Sequence, residues 1–264
     1  MKLCKNTVYN YSMFAELCCT SNFTFLTGAS HPEEYVMRAH TLGYSGIGVT
    51  DEASVSGAVR AHLASQTLNI PMVHGSRFRI DEQLELTFLA PNRKAWGELG
   101  QLISLARRRS SKGTYQLTRR DLIGHTETLL CLWHPHPQAL DWTSQIESLS
   151  YAFRGRFWIA AHLPESGHQA DLAERIDLTA FEWNLPVVAT QRPLMHIRQR
   201  LKLQHTLTAI RLGAPIIEIA DQLERSSERT LMDQHGLKQR YPSAWLHESL
   251  NILDRFDFSL SDLR

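Results

Sequence analysis

The stretch FAELCCTSNFTFLTGASHPEEYVMRAHTLGYSGIGVTDEASVSG, residues Phe14–Gly57, decides the fold. Its apolar ends, Phe14–Leu17 and Gly46–Thr50, read as strands, and the segment Pro32–Leu42 between them reads as a helix. Ser30 is placed to cap that helix, Pro32 suits its first turn, Glu33 and Glu34 suit its positive end, and Gly43 can stop it. The result is a βαβ unit. Its strands end in LCCTS (Leu17–Ser21) and VTDEAS (Val49–Ser54), which bring Cys18 and Cys19 to one end and the adjacent carboxylates Asp51 and Glu52 to the next. Sulfur and carboxylate at neighbouring strand ends read as half of a metal site.

The same alternation continues outward. Further strands are predicted at Pro71–His74, Leu84–Ala90, Thr128–Trp133, Phe157–His162 and Pro186–Thr190, with helices at Val55–Gln66, Arg93–Arg107, Gln138–Ser148 and Asp171–Asn184. Strands alternating with helices predict a parallel sheet, and seven such units predict a closed or nearly closed barrel. The expected fold is therefore α/β, a distorted seven-stranded (β/α)7 TIM-like barrel over about 13–195, followed by a helical C-terminal part over about 196–264. That part is read as helices at Arg198–Leu212, Ser227–Gln234 and Pro242–Phe256, with Gly213-Ala214-Pro215 as a stop. No repeat or charged linker divides the chain, so residues 1–264 are expected to form a single domain.

Composition narrows the function. The chain has 264 residues, 43% hydrophobic and 21% charged, which is an ordinary globular profile. A net charge of +1 gives no global field for nucleic acid, so any such contact must be local. No apolar run approaches membrane-spanning length, no membrane partner is expected, and MKLCKNTVYNYSMF is a poor signal peptide. The four cysteines, Cys4, Cys18, Cys19 and Cys131, contain no C-x-x-C pair, which fits a reducing cytoplasm.

In a barrel the chemistry collects at the carboxyl ends of the strands. Those ends carry Cys18, Cys19 and Thr20; Asp51 and Glu52; His74-Gly75-Ser76-Arg77; His162; and Gln191-Arg192-Pro193. A multinuclear metal site needs converging imidazoles and carboxylates, whereas Arg77 and Arg192 repel cations. Asp51 and Glu52 have two readings, a single Mg²⁺ or Mn²⁺ site or a salt-bridged remnant; Cys18 and Cys19 are either soft-metal ligands or small buried hydrophobes. His134-Pro135-His136-Pro137 resembles a ligand pair but reads as an extended surface loop.

Four segments together carry a family resemblance: Ala15–Tyr44, Val49–His62, ARRRSSKGTYQLTRRDL at Ala106–Leu122, and LQHTLTAIRLG at Leu203–Gly213. With them the chain resembles the PHP (polymerase and histidinol phosphatase) domain at the N-terminus of bacterial C-family DNA polymerases, the DNA polymerase III alpha subunit-like enzymes, and in particular their error-prone type. The ending FDFSLSDLR, Phe256–Arg264, is similar to the junction where such polymerases continue.

The resemblance implies a distorted barrel that, in active members, binds a metal cluster and hydrolyses phosphoesters. It also implies where those ligands have gone. Cys18 and Thr20 stand at the two histidines of the first motif, and Glu52 stands at the histidine that follows Asp51. Arg77 replaces a glutamate, Glu85 a histidine, and Arg192 and Leu194 the closing Asp-x-His. At most Cys18, Asp51, Glu52 and Glu85 remain as donors, with Arg77 and Arg192 expected to pair with the carboxylates in place of ions. The expectation is a metal-free, non-catalytic domain that supports a polymerase body and docks translesion or replication proteins, and that does not polymerise DNA alone. The alternative is a phosphoesterase, 3′–5′ exonuclease or pyrophosphatase-like, with a rearranged Mn, Mg or Zn site using His134, His136 and His162. The basic segment Arg107, Arg108, Arg109, Lys112, Arg119 and Arg120 is the candidate for a DNA contact, the other reading being a solvated or domain-contacting loop.

Overall fold

The computed structural model describes residues 14–80, 84–139, 141–165 and 168–263. Cys4, the N-terminal stretch read for a signal peptide, the expected barrel start at 13 and Arg264 lie outside them. Among the described residues the strands are β1 (Ala15–Cys19), β2 (Gly46–Val49), β3 (Met72–Arg79), β4 (Glu85–Leu89), β5 (Leu130–His134), β6 (Phe157–Ala161) and β7 (Val187–Ala189). They form one seven-stranded sheet in chain order. The helices are α1 (Pro32–Thr41), α2 (Ala58–Leu68), α3 (Arg93–Arg108), α4 (Thr143–Ala152), α5 (Gln169–Trp183), α6 (Leu201–Leu212), α7 (Gln234–Arg240) and α8 (Ser243–Leu253).

The sheet is mixed rather than parallel. β4 runs antiparallel to both β3 and β5, while the other neighbouring pairs are parallel. The connection from Arg79 to Glu85 is too short for a crossover helix, and the Ile80 N–H closes it on the Leu84 carbonyl at 2.8 Å. Reversal of β4 matters for the site, because it brings the first residue of that strand, Glu85, to the end where the parallel strands finish.

The period of two along each strand separates two layers. One row faces the helices: Ile47, Val49, Phe78, Leu86, Phe88, Cys131, Trp133, Ile159 and Ala161 belong to one buried cluster with the helix residues Tyr35, Val36, Leu99, Leu102 and Ile146. The other row lines the concave side, where Leu17, Val73, Leu89, Leu130, Leu132, Trp158, Ala160 and Val188 form a second cluster. Ile252 of α8 belongs to this inner cluster, and Ser249 of the same helix accepts from the Ala15 N–H at 2.8 Å. α8 thus covers the end of the inner face where the parallel strands begin.

Among the described residues no ladder joins β1 to β7. The gap is bridged by a side chain. The fully buried Glu16 carboxylate accepts from the Thr190 hydroxyl (2.6 Å), the Gln191 N–H (2.8 Å), the Gln191 amide (3.3 Å) and the Cys18 N–H (2.9 Å).

Three expected boundaries shift for identifiable reasons. α1 is capped at His31, whose N–H is held by Glu34 at 2.8 Å, because the Ser30 hydroxyl is taken by His196 at 2.7 Å. The helix expected from Gln138 begins only at Thr143, where the Asp141 carboxylate accepts from the Ser144 N–H; Arg175 instead holds the Pro137 and Ala139 carbonyls in a loop. The helix expected over Ser227–Gln234 is absent. The Arg229 carbonyl accepts from Leu194 and Met195, and the Met232 N–H donates to Gln191, so this backbone is spent on the β7 loop. The helix starts later, at Gln234, behind an Asp233 cap.

Candidate functional site: a carboxylate–guanidinium chain at the strand ends

The inner row turns from apolar to polar as it nears the carboxyl ends. Leu130 and Leu132 give way to His134, Leu89 to Thr87 and Glu85, Val73 to Arg77, and Ala160 to His162. Strand alternation therefore sends His74 the other way. It is buried on the helix side against Trp96 and Phe258 at centroid distances of 5.7 and 5.9 Å, and takes no part in the site.

At the rim, Arg77 donates to Glu52 at 2.9 Å and to Glu85 at 3.4 Å, and Arg192 donates to the same Glu85. Tyr115 donates to the other Glu52 oxygen at 2.8 Å. The order is Tyr115–Glu52–Arg77–Glu85–Arg192, two carboxylates alternating with two guanidiniums. Burial raises the Glu85 carboxyl, but Arg192 and Arg77 outweigh it and hold the group well below the ordinary carboxylate range. Burial, and then the Glu52 charge, raise the Tyr115 phenol, so it stays a donor.

Asp51 stands apart from this chain, contrary to the expectation that the arginines pair with it. Its oxygens accept from the Ser21 N–H (2.8 Å), the Ser21 hydroxyl (2.7 Å) and the Thr24 hydroxyl (2.8 Å). Burial raises its carboxyl against the downward pull of those donors. Cys18 is buried on the inner side, and burial followed by the Glu16 charge pushes its thiol up to about 12. Thr20 and Leu194, where the resemblance implies histidines in active members, are buried; the Thr20 N–H donates to the Pro193 carbonyl at 3.0 Å, and Leu194 packs with Ala29 and Met195.

The reading of His134 as part of a surface loop is corrected. It is the last residue of β5 and is buried, with Nε2 2.8 Å from the Thr87 hydroxyl and no partner for Nδ1. Burial, then the Arg192 charge, lowers it to about 3, so the ring is neutral. His162 is half-buried, and burial also lowers its pKa, with Nδ1 3.4 Å from the Thr190 carbonyl. His136 is exposed on the loop.

The donor chemistry does not fit a metal cluster. Among the described residues no three His, Cys, Asp or Glu side chains are grouped to hold an ion. The two rim carboxylates that could do so, Glu52 and Glu85, already face guanidiniums, and Asp51 serves a loop.

The basic segment divides. Arg107 is structural: it donates to the Ala53, Glu52 and Thr114 carbonyls at 3.2 Å each and lies over the Tyr115 ring. Arg109 pairs with Asp121 at 2.7 Å. Arg108, Lys112, Arg119 and Arg120 are exposed.

Sequence reasoning missed Glu16, Thr24 and Arg229. Arg229 donates to the Arg192 carbonyl at 3.0 Å and to Glu224 at 2.8 Å. Arg192 itself has φ +48, a left-handed conformation costly for a residue with a side chain. Its carbonyl contact to Arg229 and its bond to Glu85 both help hold it there.

The fold is an incomplete seven-stranded α/β barrel with one reversed strand, and a salt-bridge chain joins the polar residues at its strand ends. Residues 16–174 match the PHP domain, and the chain belongs to that family. It is 41% identical over 254 residues to the error-prone DNA polymerase of Methylococcus capsulatus, covering 96% of this chain and 24% of that protein. The error-prone DNA polymerase of Vibrio vulnificus is 38% identical over 255 residues, at 95% and 24% coverage, and that of Dechloromonas aromatica 41% over 258 residues, at 95% and 25%. The chain thus spans about a quarter of the length of these curated relatives. Among solved structures it is similar to an amidohydrolase from Chromobacterium violaceum (TM-score 0.49, 14% identity, 67% of this chain and 86% of that one). A two-domain Bacteroides vulgatus protein containing a predicted PHP-like metal-dependent phosphoesterase gives a TM-score of 0.49 at 11% identity, over 91% of this chain and 66% of that one.

Proposed function

We propose that this chain is a metal-free, non-catalytic PHP domain that supports the body of an error-prone DNA polymerase in the cytoplasm. In that setting it would serve translesion synthesis, replication and repair after DNA damage. The observation that carries the non-catalytic reading is the Glu52–Arg77–Glu85–Arg192 chain, in which guanidiniums neutralise the carboxylates that would otherwise attract cations. The polymerase setting rests on the identity to error-prone polymerases over almost the whole chain.

A docking role is supported by α6. The fully buried positions of this helix are polar, Gln204 and Thr208, and are bonded to each other at 3.0 Å. Its apolar residues Leu203 and Ile210, continued by Ile217 beyond the helix, are exposed at seven-residue spacing. A helix that turns leucine and isoleucine outward fits one covered by another part of a larger protein.

Metal analysis by mass spectrometry on protein purified without chelator tests the reading. Sub-stoichiometric Zn and Mn, with no hydrolysis of a generic phosphoester on adding Mn²⁺, is the expected result. Stoichiometric metal that disappears in Asp51→Ala or Glu85→Ala would overturn it in favour of a rearranged phosphoesterase site.

A further inference from the structure

Two segments hold the backbone of Glu52, one at its N–H and one at its carbonyl. The first, Ser21–Gly28, leaves β1. The Thr24 hydroxyl accepts from the Glu52 N–H at 3.0 Å and donates to Asp51 at 2.8 Å. Turn bonds fix the rest, Asn22 to the Ser30 carbonyl (2.8 Å) and the Thr24 N–H to Ser21 (3.0 Å). At Gly28 an added Cβ would lie 2.1 Å from the Ser21 carbonyl oxygen, so the close approach requires glycine. This braced loop nevertheless turns phenyl rings to solvent, Phe25 at 80% and Phe23 at 36% exposure. An exposed phenylalanine forgoes the stabilisation that burying its ring would give.

The second loop follows Arg107, whose guanidinium donates to the Glu52 carbonyl at 3.2 Å. Beyond it Arg108, Lys112 and Arg120 are exposed and form no ion pair among the described residues, the nearby Asp121 being held by Arg109. The sequence contains no carboxylate between Glu98 and Asp121, nor between Glu16 and Glu33. The Glu52 backbone therefore anchors both a braced loop that carries exposed phenyl rings, through Thr24, and the start of a segment that carries exposed cations, through Arg107.

We infer that this rim binds a single strand of nucleic acid, DNA in the setting of the polymerase relatives, stacking bases on Phe25 and Phe23 and placing phosphates against Arg108, Lys112 and Arg120. Stacking needs an unpaired base, because a duplex keeps its base faces covered. The cations meet the strand's phosphates without reading its sequence. In this arrangement Asp51 and Thr24 are positioning residues: they hold the phenyl-bearing loop and do not touch the ligand. The inference goes beyond the metal-free reading and is independent of it, since metal content and strand binding are measured separately.

Fluorescence anisotropy of labelled oligonucleotides, (dT)15, its RNA counterpart and a duplex of equal length, titrated with the whole chain from 50 to 200 mM salt, supplies the test. Saturable binding of the single strand over the duplex is expected. Phe25→Ala is expected to weaken it by roughly 5- to 150-fold with the salt slope unchanged, and Phe25→Trp to restore it. Replacing Arg108, Lys112 and Arg120 by Gln is expected to cut the slope of log K against log salt by about 2, at about 0.7 per phosphate contact on single strands. Tighter binding of RNA than DNA would keep the site and reassign its strand. Equal affinity for the duplex, indifference to Phe25→Ala in a variant that melts like the parent, or equal displacement by poly-glutamate would overturn the inference; the last would point to an acidic protein surface.

Discussion

Arg77 and Arg192, from opposite parts of the sheet, converge on one oxygen of Glu85, Oε1. Arg77 lies within β3 and Arg192 follows β7, so Glu85 at the start of β4 ties distant strand ends through one acceptor. Their joint demand on Glu85 makes it the keystone of the rim.

Glu85→Gln leaves two largely buried guanidiniums facing a neutral amide. With some solvent access at the rim, a loss of about 2–3 kcal/mol of unfolding free energy is expected, less than for a fully buried pair. Adding Arg192→Met to that variant should recover part of the loss, because it removes one uncompensated charge. Urea unfolding of the single and double variants checks the order.

His134 gives the fold a proton-dependent weakness. Its pKa is lowered to about 3, so between that value and the ordinary histidine pKa near 6.5 the unfolded chain holds the extra proton. Stability from this group is complete above about 6.5 and falls by roughly 1.4 kcal/mol per pH unit as pH drops towards 3. Glu16 and Asp51, whose pKa values are raised, act in the opposite sense. The measurement is therefore the stability of the parent minus that of His134→Gln, which should be constant above pH 7 and fall progressively as pH drops below 6.

Glu16→Gln should destabilise the seam between β1 and β7. The carboxylate accepts from four donors, and an amide there sets its own N–H groups against some of them. A cost of about 1–3 kcal/mol follows from leaving buried donors unpaired. Hydrogen exchange should show loss of protection at Cys18 and Gln191 before the central strands.

Arg107 should separate from its basic neighbours. Arg107→Ala removes bonds to three carbonyls and is expected to cost about 1.5–3 kcal/mol. Arg108→Ala and Arg120→Ala, at exposed positions, should stay within about 0.5 kcal/mol. Thermal melts of the three single variants decide it.

Much of this was legible in Phe14–Gly57 and at the later strand ends. The strand–helix–strand order, the carboxyl-end positions of Cys18, Asp51 and Glu52, and the opposed charges of Arg77 and Arg192 follow from pattern and residue type. The reversal of β4 was legible only as a missing helix between Arg79 and Glu85. His134 was misplaced because its Pro-rich sequel reads as loop, although counting by twos from Leu130 sends it inward. Glu16 left no local signal: a carboxylate in an apolar strand is explained only by Thr190 and Gln191, residues far along the chain that become its partners in the fold. The division between Asp51 and Glu52 was hidden for the same reason, since adjacent residues on a strand end face different neighbours.

The contact from Ala15 to Ser249 also sets a schedule. The helix that covers the inner face is made more than two hundred residues after the strand it touches, a separation of 234. During synthesis Leu17, Val73 and Leu130 must wait, uncovered, for Ile252 to leave the ribosome. Long-range closure of this kind slows folding and prolongs the exposure of sticky surface. The nascent barrel is therefore the form of this protein with most need of a chaperone, and truncations ahead of Ser243 should aggregate rather than fold as smaller barrels.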